Sequence, residues 1–312
     1  MKATRCPDNP ILTPASGDIG DNINGPSVIR VPDWVRHPRG RYYLYFAHHQ
    51  GDSIRLATAD HPEGPWTVQG QRPLRLEQVT DLGFHAHIAS PDVVIDREHR
   101  RFLMFFHGPT RAWQAAGTPT LRTHFSQGTG LALSTDGVDF APVVGPVLGF
   151  PYFRVFFHRG RAYALSARGL LFRCPEPGMP DGLRPWEERE QALGFWRHCA
   201  VRMQGDGLQV VFSRPGDAPE RLLWAEAALG DDWLQWRLGE PRELLRPELP
   251  WEGAGLPITT SVKGAARGRE HALRDPCLFT EDGQSWLYNS IGGESGLAVA
   301  RLIETPARTP VP

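Results

Sequence analysis

Several kinds of chemistry are missing from this 312-residue chain before any motif is sought. Cysteine is scarce: Cys6, Cys174, Cys199 and Cys277 lie far apart, with no CxxC spacing. That argues against a zinc knuckle and a disulfide framework. No apolar run approaches the roughly 18 residues that a membrane span needs. The opening MKATRCPDNPILTP has no apolar h-region, so no secretory signal is expected and a soluble cytoplasmic protein is the default. An excess of charge is also missing, since 34 Lys+Arg stand against 35 Asp+Glu. Neither a nucleic-acid footprint nor attraction to an anionic membrane is expected from that balance. Long stretches of helical 3.6-residue periodicity are scarce.

What is present is punctuation. The 33 glycines and 29 prolines are spread along the chain, as breaks between short strands would be. The stretch from His85 to Gly108 holds two apolar β runs, Val93-Val94-Ile95 and Phe102 to Phe106, joined by a polar turn. The same unit recurs. Copies begin at Gly25-Pro26-Ser27-Val28, at Ser90-Pro91-Asp92-Val93, at Pro151-Tyr152-Phe153-Arg154, at His198-Cys199-Ala200-Val201 and at Arg274-Asp275-Pro276-Cys277. Each continues through a second and a third run, and a fourth edge strand is expected to follow. Five such units predict an all-β fold, a five-bladed β-propeller with long inter-strand insertions, closed radially so that few edges stay open. The expected domain is single, residues 1–312, with blades near 20–75, 85–145, 148–195, 196–245 and 270–305. A β-sandwich is the alternative.

Residues entering the first strand of each blade converge on the axis of a propeller. Polar residues there are candidates for a site rather than for packing. Asp92 and Asp275 are the leading carboxylates, and two carboxyl groups facing across a sugar would suit a glycosidase. Glu252, beside Trp251 in a Gly-flanked loop, is a candidate acid, with Trp251 as a stacking wall. Glu220 and Glu294 are weaker candidates that read mainly as loop and turn residues, and Glu220 is placed in the expected substrate-binding set. Histidines cluster near the predicted axis: His48, His85, His87, His107 and His198. They could bind hydroxyls or move protons. Asn24, Tyr152, Arg154 and Arg214 complete the expected binding set, with Trp34, Trp113 and Trp196 as further stacking candidates. No HExxH or comparable spacing supports a metal site.

These residues resemble a known family. Asn9-Pro10-Ile11-Leu12-Thr13-Pro14 is similar to the leader of five-bladed propeller glycosidases. Ala89-Ser90-Pro91-Asp92-Val93 followed by Phe102 to Phe106 resembles the "APDV … YYLYYS" pattern of glycoside hydrolase family 43, and Arg274-Asp275-Pro276 with Ser285 to Ser290 resembles another blade of that superfamily. The resemblance implies a glycosidase with an axial pocket, in which Asp92 matches the aspartate that tunes and orients the acid. It also marks departures. The family's first-blade Asp-Pro reads Asn24-Gly25-Pro26-Ser27 here, and Glu252 comes late for the family's middle-blade acid. Related family 117 neoagarobiose hydrolases use a histidine acid, a role that would suit His198 or His271.

The expected function is therefore a glycoside hydrolase acting on a short oligosaccharide or glycan side chain. Catalysis is expected from Asp92, Asp275, Glu252 and His198. A propeller lyase using His, Tyr152 and Arg154, and a sugar-binding propeller without catalysis, are the alternatives. No cofactor is required, although the axis has room for a structural metal ion such as calcium. A carbohydrate is the expected partner, with no nucleic acid and no membrane, and the chain is expected to be a monomer or small homo-oligomer.

Overall fold

The structure is a computed structural model and describes residues 1–111 and 126–304. The chain opens with a short strand, β1 (Lys2–Arg5), whose partner comes last. Blade one follows as β2 (Asn24–Arg30), β3 (Tyr42–Ala47), β4 (Ser53–Ala59) and β5 (Thr67–Val68), with β6 (Leu74–Arg75) also paired to β4. Blade two is β7 (Ala89–Asp96), β8 (Arg101–Pro109), β9 (Gln127–Ser134) and β10 (Ala141–Pro142). Blade three is β11 (Arg154–His158), β12 (Arg161–Leu165), β13 (Leu171–Pro177) and β14 (Glu187–Glu188). Blade four is β15 (Cys199–Gln204), β16 (Gly207–Phe212), β17 (Leu222–Ala228) and β18 (Arg242–Leu245). Blade five is β19 (Arg269–Glu281), β20 (Gln284–Gly293) and β21 (Leu297–Ile303), and β1 supplies its outer edge.

The five-bladed propeller is thus the observed architecture, with one correction to the expected blade pattern. No outer strand follows the third run of blade five among the described residues. The N-terminal strand takes that place, pairing Lys2 with Ile303 and Thr4 with Arg301. The ring is therefore closed by hydrogen bonds between the two ends of the chain.

The middle strands read as unbroken apolar runs because both of their faces are buried between blades. Along β8, Phe102, Met104 and Phe106 point into the core shared with blade one, while Leu103 and Phe105 point into the core shared with blade three. Along β3, Tyr43, Tyr45 and Ala47 face blade two, while Tyr42, Leu44 and Phe46 face blade five. Two further apolar clusters fill the spaces between blades three and four and between blades four and five. All four cysteines are free and buried within this packing.

One backbone feature recurs and positions the site. Gly25, Ser90 and Asp275 each adopt a left-handed conformation, with φ of 60°, 42° and 48°. Each precedes a proline, and each sits where the inner strand slips register against its neighbour. Tyr152 takes the same conformation, φ 68°, at the entry to blade three. Blade four enters through Arg197-His198 with regular pairing from Cys199 onward. The bulge turns the residue at each entry away from the ladder and toward the axis.

Candidate functional site at the axial pocket

The inner-strand entries place polar side chains from every blade around the axis. His107 at the end of β8 lies 3.9 Å, centroid to centroid, from the ring of Tyr152, and Tyr152 lies 4.1 Å from the ring of His198. The Nδ1 edge of His198 meets the Asp275 carboxylate, whose other oxygen accepts a hydrogen bond from Ser290 Oγ at 2.9 Å. Beside Asp275, Arg274 lies 3.6 Å from Glu294. Glu294 in turn meets His49 Nδ1 at 3.3 Å and accepts from Asn22 Nδ2 at 2.6 Å and Asn24 Nδ2 at 3.4 Å. His87 closes the circle, 6.3 Å from the His49 ring.

Two histidine–carboxylate pairs therefore share the site, and their surroundings differ. Burial works against ionisation of Glu294, but the hydrogen bond and charge of His49, with Asn22 and Arg274, outweigh it and hold the carboxyl down to about 2. His198 is pushed well below its ordinary value by burial, then by the charges of Arg197, His107, His49 and Arg154. His107 is pushed down by burial and by His87, and His87 falls to about 4 by burial and the charges of His49 and His85. Nε2 of His198 and Nδ1 of His107 are buried without a hydrogen-bond partner.

A buried ion network supports the pairs from below. Glu220 accepts from Arg197 Nε at 2.9 Å, Arg274 Nε at 2.7 Å and Ser213 Oγ at 2.8 Å, and also from Ser261. Arg274 reaches Glu270 as well, at 2.5 Å. Arg197 donates onward to Gly264 O at 3.1 Å and to Ser261 Oγ at 3.0 Å. It thereby fixes the insertion between blades four and five over the axis.

A cavity of about 320 Å³ opens above this arrangement. His49, Gln127, Tyr152, Trp196 and Arg197 line it, with Lys263 of the insertion at its rim. A smaller cavity of about 190 Å³ adjoins it through His49 and is lined by His48, Asn22 and Glu294.

Of the residues expected from sequence, Asp275, His198, His107, Tyr152, Asn24 and Glu220 come together here, and His48 and His87 lie at the edge. Asp92 and Arg154 do not. Asp92 accepts from Val155 N at 2.8 Å and lies 3.4 Å from Arg154 Nη1, while Arg154 also donates to the carbonyls of Pro91 and Cys199. Together they tie blade two to blades three and four. Burial raises the Asp92 carboxyl, with Arg154 and the Val155 amide opposing. Glu252 is placed elsewhere: Arg5 grips both of its oxygens, at 2.7 and 2.9 Å, and the amides of Glu248 and Leu249 complete its shell. A buried carboxylate held by four donors is not presented to a substrate, and the expectation of an acid there gives way to a structural clamp on the N-terminal strand. Trp251 packs against the core between blades four and five. Arg214 faces Asp217 at 3.5 Å, and His271 bonds the carbonyls of Leu256 and Pro247. Trp196 is buried, donating to Ser166 O at 2.8 Å, and Trp34 packs on Phe102. Trp113 lies outside the described residues. His49 and Glu294 were the underrated members; the His48-His49 doublet ending a strand and the Gly292-Gly293-Glu294 turn were the available signals.

The first-blade departure has a steric cause. A Cβ at Gly25 would stand 2.8 Å from both Cα and Oγ of Ser90, so the position cannot carry an aspartate while Ser90 stays where it is. Gly25→Ala should cost about 2–4 kcal/mol, combining overpacking with left-handed backbone strain. A denaturant midpoint equal to that of the parent protein would contradict this. For an axial metal, no group of three or more His, Cys, Asp or Glu among the described residues is arranged to hold an ion.

No protein-family model matches the chain. Uncharacterized protein R118 of Acanthamoeba polyphaga mimivirus is 32% identical over 329 residues, spanning 96% of this chain and 89% of that protein. Among solved structures, the family 43 β-xylosidase/α-arabinofuranosidase CoXyl43 from a compost metagenome superposes with a TM-score of 0.63 at 12% identity, covering 98% of this chain and 97% of that one. A GH43_1 enzyme from Xanthomonas citri gives 0.62 at 12% identity, over 93% and 90%. The Cellvibrio cellulosa α-L-arabinanase gives 0.57 at 12%, over 91% and 93%. At such identities the likeness is one of fold.

Proposed function

We propose that this chain, which belongs to one family with the mimiviral protein R118 and has the five-bladed fold of family 43 glycoside hydrolases, hydrolyses a short oligosaccharide or glycan side chain in its axial cavity. The observation that carries the reading is the presence of two histidine–carboxylate pairs around the axis, His49–Glu294 reaching the wall of the larger cavity and His198–Asp275 one ring beneath it. His49, backed by ionised Glu294, is the proton donor to the leaving oxygen. His198, oriented by Asp275 and kept neutral by burial, is the base for water, one ring beneath the cavity wall. Tyr152 stands between it and the cavity and positions the sugar. The pairs replace the carboxylate couple of the two-acid scheme, for which Gly25 leaves no room.

The test is release of reducing ends from a panel of neutral and acidic oligosaccharides, with His49→Gln beside the parent protein. A fall in kcat of about 10²–10⁴-fold is expected for loss of a general acid; undiminished turnover would remove His49 from the mechanism. One observation favours a second reading, β-elimination: no carboxylate among the described residues lines the larger cavity, while Tyr152 and His49 do. An ultraviolet-absorbing unsaturated product in the same assay would select the lyase.

Glu294 also yields a stability prediction. Its folded value of about 2 lies below the ordinary carboxyl value of 4.5, so its contribution is present above 4.5 and is lost as pH falls toward 2. The melting-temperature advantage of the parent protein over Glu294→Gln should shrink across that window. A gap independent of pH would contradict the pairing.

A further inference from the structure

The larger cavity is electrically one-sided. Arg168, Arg197 and Lys263 line it, together with His49, and no aspartate or glutamate among the described residues does. The charges are not equivalent. Arg197 is spent on Glu220, Ser261 and Gly264, so it contributes field rather than a free donor. Lys263 is exposed and makes no hydrogen bond or ion pair among the described residues. The acidic side chains lie on the other side of His49, where Glu294 and Asp21 line the smaller cavity. Phe195, 54% exposed, presents an aromatic face on the same wall as the cations. His49 thus stands at the boundary between a basic wing and a mixed wing, in which Arg267 lines the cavity beside Glu294 and Asp21.

We propose that the basic wing binds the anionic group of a charged sugar, a uronate carboxylate or a sulfate ester, with Lys263 as the residue that selects for it. This deepens the reading of the cavity as a sugar site and rests on it. The ammonium of Lys263 is a rim charge that a substrate can approach without displacing a protein partner. An anion there gains a charge-assisted hydrogen bond in the field of Arg197. The Phe195 ring covers the apolar face of the sugar, and the carboxylates of Glu294 and Asp21 beyond His49 disfavour entry the other way round. The arrangement rejects a second negative charge near Glu294 and so fits a sugar charged at one end.

The experiment is binding, independent of turnover. Intrinsic tryptophan fluorescence or calorimetry is read with galacturonate, glucuronate and galactose 6-sulfate against galactose and glucose, at low and high salt. At least a tenfold preference for the anionic sugars is expected, weakening with salt because the pair is at the surface. Lys263→Ala should remove most of that preference and leave the neutral sugars unchanged, and Lys263→Glu should abolish anion binding. The residue is exposed, so both variants should fold, which melting curves check. Equal binding of charged and neutral sugars, no saturable binding of any charged sugar, or an unchanged preference in Lys263→Ala would each overturn the proposal. Uronate and sulfate arms that differ identify the anion. Turnover of neutral sugars alone would overturn this inference and leave hydrolysis standing. Tight anionic binding without any product would do the reverse.

Discussion

Asp275→Asn lowers turnover by roughly 10³-fold and leaves the fold intact, because the side chain acts through His198 rather than through packing. Asp275 is 1% exposed, with one oxygen on Ser290 Oγ and the other against His198 Nδ1. Asparagine keeps that shape. It also tolerates the left-handed backbone at φ 48°, where most residues would be strained. What it removes is the charge that steadies a protonated imidazole during the reaction. A structural role and a positioning role part company in the pH profile. Without the carboxylate, neutral His198 is favoured further, so the acid limb of kcat moves to lower pH while the plateau falls. A variant with parental turnover, or one whose lower turnover leaves that limb in place, would take Asp275 out of the base pair.

The repeat made the fold legible before any coordinate, for a physical reason. A propeller blade buries both faces of its middle strand, so Phe102 to Phe106 and Tyr42 to Ala47 appear as unbroken apolar runs at comparable places in each unit. The site was half legible. A polar residue at the entry of an inner strand has few destinations, and Asp275, His198, Tyr152 and Asn24 could be placed by counting. Partners could not. Asp92 has the same Pro-flanked entry pattern as Asp275, yet its carboxylate turns to the Val155 amide and Arg154 rather than to the cavity. Nothing in the local sequence separates the two. Glu252 looked like an acid beside an aromatic, but its partner Arg5 lies 247 residues away. His49 carries no signal of its own, and Glu294 reads as a turn residue, for the same reason. Each is ordinary in its own loop, and the pair exists only because blade closure brings the first and fifth blades together.

Glu220→Gln should be the most destabilising conservative change near the site, costing about 3–5 kcal/mol, the range for a buried ion network that loses one partner. The carboxylate is shared between Arg197 and Arg274, both buried, with Ser213 and Ser261 filling the remaining lone pairs. Glutamine fills the same volume but carries no charge, and its amide nitrogen would confront a guanidinium. Two buried cations would then stand uncompensated on that side. A surface pair gives the contrast. Glu226 and Arg242 lie 3.5 Å apart at about half exposure, and Glu226→Gln should move stability by no more than about 1 kcal/mol. The loss in Glu220→Gln should also reach function, since Arg274 loses its anchor beside Glu294 and Arg197 loosens its hold on Ser261 and Gly264 above the cavity. Thermal melts and sugar affinity should therefore fall together in Glu220→Gln and stay parental in Glu226→Gln. Equal melts for the two variants would mean that the network is solvated and that the insertion is held over the axis by packing alone.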